Sequence, residues 1–152
     1  MSTPQVLIIS DDRVRVEKIR YHLRALGSWE MVEESTAGVA QRPLGLMIAD
    51  TVVIDFDGLS DRSLGKKWVL ECRHAFRPVP VVVLREYYDD VDARACFDLG
   101  VSDFLSLADH SERLAHVISA LAIESAVASG ASALPGVRNR LCSPRPASTR
   151  TA

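Results

Sequence analysis

The sequence predicts an α/β domain in which a five-stranded, doubly wound parallel sheet is covered by helices on both faces. Three observations predict it. Short runs rich in Val, Ile and Leu alternate along the chain with segments of helical periodicity. The central runs, Thr51 to Phe56 and Val79 to Leu84, are apolar almost without interruption, as strands buried on both faces of a parallel sheet are. Most connections are short, and 152 residues suffice for one domain with a sizeable core but leave no room for two.

The first strand is Val6 to Ser10, stopped by Asp11-Asp12. Apolar residues then recur at Val16, Ile19, Leu23 and Leu26, a helical stripe that Gly27 closes as a C-cap. Trp29 to Val32 supplies a weak second strand. Thr36 to Arg42 is a poor helix candidate because Gly38 and Pro43 limit it, although some crossover must precede the next strand. Thr51 to Phe56 is the third strand and Gly58 to Gly65 a loop. Trp68, Val69, Cys72, Ala75 and Phe76 form a helical stripe that ends before Pro78. Val79 to Leu84 is the fourth strand, after which Asp89 or Asp90 can cap a helix ending at Gly100. Asp103 to Leu107 makes a short fifth strand, and Ser111 can cap a last helix carrying Leu114, Val117, Ile118 and Leu121.

Residues 1–124 are thus read as the domain, and residues 125–152 as the end of the last helix and a flexible Ser/Ala/Pro/Arg-rich tail. The net charge of −2 conceals +4 in residues 131–152, from Arg138, Arg140, Arg145 and Arg150, and hence −6 in the remainder. Without aromatic interleaving or a dense basic block, the tail gives no reason to expect nucleic-acid binding. No apolar run approaches the ~20 residues of a membrane span, and the N-terminus lacks a signal-peptide pattern, so a cytoplasmic location is expected. Cys72, Cys96 and Cys142 are odd in number and show no metal-ligand spacing, so reduced thiols are expected. His22, His74, His110 and His116 suggest no site.

In such a sheet, ligands sit at the carboxyl ends of the strands. Asp11 and Asp12 follow the first strand and Asp55 closes the third, so all three fall on that edge with Asp57 close by. Carboxylates gathered without a counter-charge repel one another. The pocket therefore calls for a hard divalent cation, a basic side chain or raised pKa values, and Mg²⁺ is the natural cation.

The segments VLIISDD, DTVVIDFD, VPVVVLRE and LGVSDFLSL, in this order and spacing, resemble the strand motifs of the receiver (CheY-like) domain of two-component response regulators, a flavodoxin-like fold. The resemblance spans about residues 4–124. It implies that Asp11 and Asp12 hold Mg²⁺, that Asp55 accepts a phosphoryl group, and that Asp57 offers the metal its backbone carbonyl. It also implies that Phe104 is the aromatic residue that switches rotamer on activation. Two positions depart from the family. Arg85 stands where a small hydroxyl residue follows the fourth strand, and Leu107 where a lysine follows the fifth. Leucine offers neither charge nor hydrogen bond. Arg85 is expected either to swing over the pocket and pair with Asp55 or Asp57, replacing the lysine charge, or to point outward beside Glu86.

Two readings follow from the resemblance. In one, the chain is a stand-alone atypical receiver phosphorylated on Asp55 by a histidine kinase or phosphotransfer protein. In the other it is a pseudo-receiver, an interaction module that signals without phosphorylation. Either would meet a downstream protein through the face of helix four, strand five and helix five, where Tyr87 and Tyr88 begin the approach, and a homodimer is left open. Neither is an enzyme beyond self-phosphorylation from a phosphodonor. A remote third reading is a small hydrolase with Asp55 as nucleophile and Asp57 as general acid.

Overall fold

A computed structural model of the chain describes residues 3–27, 29–42, 48–75 and 77–130. The strands are β1 (Gln5–Ile9), β2 (Glu30–Glu34), β3 (Thr51–Asp55), β4 (Val81–Arg85) and β5 (Asp103–Ser106). They form one sheet in the order β2-β1-β3-β4-β5, every pairing parallel. The helices are α1 (Arg13–His22), α2 (Thr36–Gln41), α3 (Arg62–Arg73), α4 (Asp90–Leu99) and α5 (Leu107–Gly130). The doubly wound architecture read from the sequence is the one observed.

Alternation along the strands divides the core in two. Val52, Ile54, Val81, Val83 and Phe104 face Trp68, Val69 and Cys72 of α3 and Ala93 and Cys96 of α4. Val6, Ile8, Val53, Val82, Leu84 and Leu105 face Ile19 and Leu23 on the α1 side and Leu114 and Ile118 of α5. The central strand is buried at all five positions, as its unbroken hydrophobicity requires. Its last residue, Asp55, continues the alternation of Val53 and so lies on the face that α1 covers.

Short polar residues start the helices, because the first backbone N–H groups of a helix have no partner within it. Asp12 accepts from Val14 and Arg15, Ser35 from Gly38, Asp61 from Ser63 and Asp89 from Val91. Gly100 ends α4 at φ 106°, and a Cβ there would also meet the Arg73 side chain.

The differences from expectation are local. Residues 36–41 do form a helix, because the Ser35 cap and the burial of Thr36 and Val39 outweigh the cost of Gly38. The last helix begins at Leu107 rather than after Ser111. Ser106 Oγ accepts from the Asp109 N–H at 2.9 Å, so the hydroxyl at the end of β5 organises the first turn and Ser111 lies inside the helix. The helix runs to Gly130, while residues 131–152, with the four tail arginines and Cys142, lie outside the described residues. Phe76 of the α3 stripe does too. Cys72 and Cys96 are buried free thiols, pushed by burial to about 12 and about 11 respectively. No helix among the described residues is long and apolar enough to cross a membrane.

Candidate functional site

The strand order reverses between β1 and β3, and the crevice at their carboxyl ends holds the acidic residues. Asp55 lies at its base with no exposed surface. A buried carboxylate needs a compensating charge and a full set of hydrogen bonds. Both come from the segment after β1. Arg15 Nε lies 2.8 Å from Asp55 Oδ2 and 3.1 Å from Oδ1, and Nη2 lies 2.8 Å from Oδ1. Ser10 Oγ donates to Asp55 Oδ2 at 3.0 Å. The third guanidinium nitrogen, Nη1, donates to Glu86 Oε1 at 2.9 Å. The Asp55 hydrogen bond, outweighing burial, and the attraction of Asp55 and Glu86 raise the Arg15 pKa, so the guanidinium is firmly charged.

The acidic pair is occupied elsewhere. Asp11 turns toward the start of α2, where Oδ1 accepts from the Thr36 backbone N–H at 2.8 Å and Oδ2 accepts from Ser60 N–H at 2.8 Å. The Thr36 hydroxyl reaches the same carboxylate. Burial alone would push the Asp11 carboxyl up, but these donors reverse the effect and hold it below the usual range. Asp12 Oδ1 caps α1, accepting from Val14 and Arg15 N–H at 3.0 and 3.2 Å.

Asp57 anchors the loop after β4. Its Oδ2 accepts from the Glu86 backbone N–H at 2.6 Å, and its Oδ1 accepts from Arg85 Nε and Nη2 and from Arg62 Nη2. Burial works against ionisation here too, but the Glu86 N–H and the Arg85 guanidinium win and lower the Asp57 pKa. Arg85 therefore pairs with Asp57, and with Asp92 on the other side, rather than with Asp55. The expectation that it would cover the pocket holds only for the Asp57 arm.

Leu107 is 3% exposed, packed with Leu84, Leu105, Leu114 and Ile118 on the α1 and α5 face. Phe104 is buried, its ring edge-to-face with Tyr88 at 5.5 Å, and Tyr88 also meets His110. Nδ1 of His110 accepts the Ser106 N–H at 3.0 Å, a structural role that spacing alone does not reveal. Gly58 closes the crevice from the far side, where a Cβ would collide with Ser10 Oγ and the Asp55 carboxylate.

The ligand set that the family resemblance implies for Mg²⁺ does not fit this arrangement. Asp11, Asp12 and Asp55 each direct their carboxylates to other donors, and no group of three or more His, Cys, Asp or Glu among the described residues is arranged to hold a metal. The residue that sequence reasoning missed is Arg15. Its signal was available: Arg15, Ile19 and Leu23 share one helical face, and a cation in the first turn opposes the helix dipole unless an anion faces it.

No family model and no curated protein matches the sequence. Solved structures do match. A LuxR-family two-component response regulator from Aurantimonas sp. SI85-9A1 is 19% identical with a TM-score of 0.67, covering 81% of this chain and 87% of that one. A response regulator receiver domain protein from Clostridium thermocellum is 17% identical with a TM-score of 0.67, covering 82% and 98%. The isolated REC domain of RcsB from Salmonella enterica serovar Typhimurium, in the presence of phosphomimetic BeF3⁻, is 17% identical with a TM-score of 0.64, covering 79% and 88%. At these identities the likeness speaks for the fold, and the chain has the fold of a response-regulator receiver domain.

Proposed function

We propose that the chain is a receiver-type module of two-component signalling that works as a protein-interaction unit without phosphoryl switching. One observation carries this reading: both oxygens of Asp55 are held by Arg15, and Ser10 adds a hydrogen bond to one of them. The cation and hydroxyl that the family brings from β5 and β4 have counterparts here in Arg15 and Ser10 of the β1–α1 segment, which engage the Asp55 carboxylate directly. Asp55 is thus a structural anion. The contact surface that goes with this role is the face of α4, β5 and α5, where Tyr88 and Phe97, 43% and 46% exposed, lie beside Phe104, His110 and Arg113. A hydrolase is disfavoured because Asp57, lowered in pKa and paired with Arg85, is a poor proton donor.

Incubation with acetyl phosphate or beryllofluoride and Mg²⁺, followed by intact mass measurement and amide NMR, is expected to give no adduct and no shift at Asp55. A phosphoryl adduct that disappears in Asp55→Ala would overturn the reading and restore the phosphorylated receiver.

A further inference from the structure

The edge of the sheet at β5 carries a cleft of about 510 Å³, lined by Tyr88, Phe97 and Phe104 together with Asp103, Asp109 and Arg113. Two of its rings are open to solvent, Tyr88 at 43% and Phe97 at 46% exposed. A second hollow on α4 is lined by Asp90, Asp98 and Arg94 beside Val91, which is 78% exposed. The two hollows thus set four aspartates against two arginines. Among the described residues none of these four aspartates is in an ion pair, whereas Asp55, Asp57, Glu86 and Asp92 around the crevice are all paired with arginine. The surface is therefore apolar at its centre and acidic without compensation at its rim. The complementary chemistry is present in the chain itself. Residues 131–152 carry four arginines and no acid, against −6 in the remainder. Within them, the run from Val137 to Leu141 alternates so that an extended backbone puts Val137 and Leu141 on one side and Arg138 and Arg140 on the other.

We propose that residues 137–145 of the same molecule occupy this cleft, with Leu141 against the Tyr88 and Phe97 rings and the flanking arginines on Asp98, Asp103 and Asp109, so that a downstream protein must displace the segment to bind. The inference rests on the reading of the α4, β5 and α5 face as the contact surface and adds its resident occupant. Length permits it. Going back along α5 from Gly130 to Arg113 covers about 26 Å, and the eleven residues from Gly130 to Leu141 span at most about 36–40 Å when extended. A tether of this kind gives an effective concentration of roughly millimolar, so a weak contact is enough to keep the cleft occupied. Charge selects this cleft over the other groove beside α5. That groove, about 490 Å³ between α1 and α5, is lined by Arg24, His22 and His116 with Glu112 as its one acid, and offers an arginine-rich segment little attraction.

The test uses the full chain with a nitroxide on Cys142, Cys72 and Cys96 being shielded by burial. The label is expected to broaden the amide NMR signals of Phe97, Asp103, Phe104 and Arg113, to the same extent at every protein concentration. Arg138→Glu combined with Arg140→Glu should remove most of this broadening. So should 1 M salt, where the screening length falls to about 3 Å. Without any label, the same double substitution should shift the amides of those four residues relative to the wild type, a comparison that a bulky nitroxide cannot disturb. Broadening centred on Tyr21 and His116, spread evenly over the domain or confined to the last turns of α5 would overturn the proposal, as would a label-free comparison in which the cleft amides do not move. Isotope-labelled chains mixed with nitroxide-bearing ones test the remaining occupant. Broadening of the cleft only in that mixture would put a second copy's segment there and overturn the intramolecular reading. Each of these results leaves the phosphoryl test at Asp55 unaffected, so failure here is distinct from failure of the proposed function.

Discussion

Replacing Arg15 with alanine is expected to lower the stability of the domain by about 3–5 kcal/mol, the range for removing one partner of a buried ion pair. The size follows from asymmetry. Asp55 has no exposed surface and Arg15 is 14% exposed, so water cannot take over from the guanidinium without opening the crevice. Ser10 Oγ would be the only one of the present side-chain donors left to the carboxylate. Adding Asp55→Asn to Arg15→Ala removes the stranded charge, and the pair should recover much of the loss, a coupling that a double-mutant cycle reads directly. Urea unfolding of the four proteins supplies the numbers. A cost for Arg15→Ala below about 1 kcal/mol would place the pair with ordinary surface salt bridges and contradict the burial argument.

Leu107→Lys, which restores the residue a receiver carries after its fifth strand, is expected to destabilise this chain by roughly 4 kcal/mol. That is the approximate cost of neutralising an amine that the interior holds some three pKa units below its ordinary value. Position 107 is 3% exposed among Leu84, Leu105, Leu114 and Ile118, and the carboxylate the lysine would seek is already taken by Arg15. Leu107→Met, which changes shape without charge, should cost less than about 1.5 kcal/mol. The resemblance puts the family's lysine against the acceptor carboxylate. Leu107→Lys combined with Arg15→Ala should therefore cost less than the sum of the two singles, because one cation then substitutes for the other. Strict additivity in urea unfolding would show that the introduced ammonium does not reach Asp55.

Much of the fold was legible because its signals are local. The runs around Val53 and Val82 are apolar on both faces, which only a covered parallel strand tolerates, and the order of strands and helices then leaves few topologies. Boundaries were less legible wherever a side-chain hydrogen bond decides them. Ser106 captures the Asp109 N–H, which moves the start of α5 four residues ahead of Ser111. Ser35 rescues a short helix that Gly38 argued against.

The site was legible in its acids and not in its cations. Carboxylates at strand ends are placed by the backbone, so Asp11, Asp12 and Asp55 could be assigned to one edge from order alone. An arginine is placed by its long side chain. Arg85 and Arg15 both reach the crevice, and nothing in their spacing says that the first stops at Asp57 while the second goes on to Asp55. The useful clue lay in helix physics, a cation at the first turn of α1 on the face of Ile19 and Leu23, where only a buried anion justifies it.

The central claim is that Arg15 holds Asp55 in place of a metal and a phosphoryl group. It is tested most directly by NMR of the Arg15 Nε–H and the Asp55 carboxyl carbon, before and after addition of Mg²⁺ with beryllofluoride. The expected result is a slowly exchanging Nε–H and a carboxyl resonance that neither reagent moves. Loss of the Nε–H protection together with a shift of the Asp55 carboxyl on addition would contradict the claim.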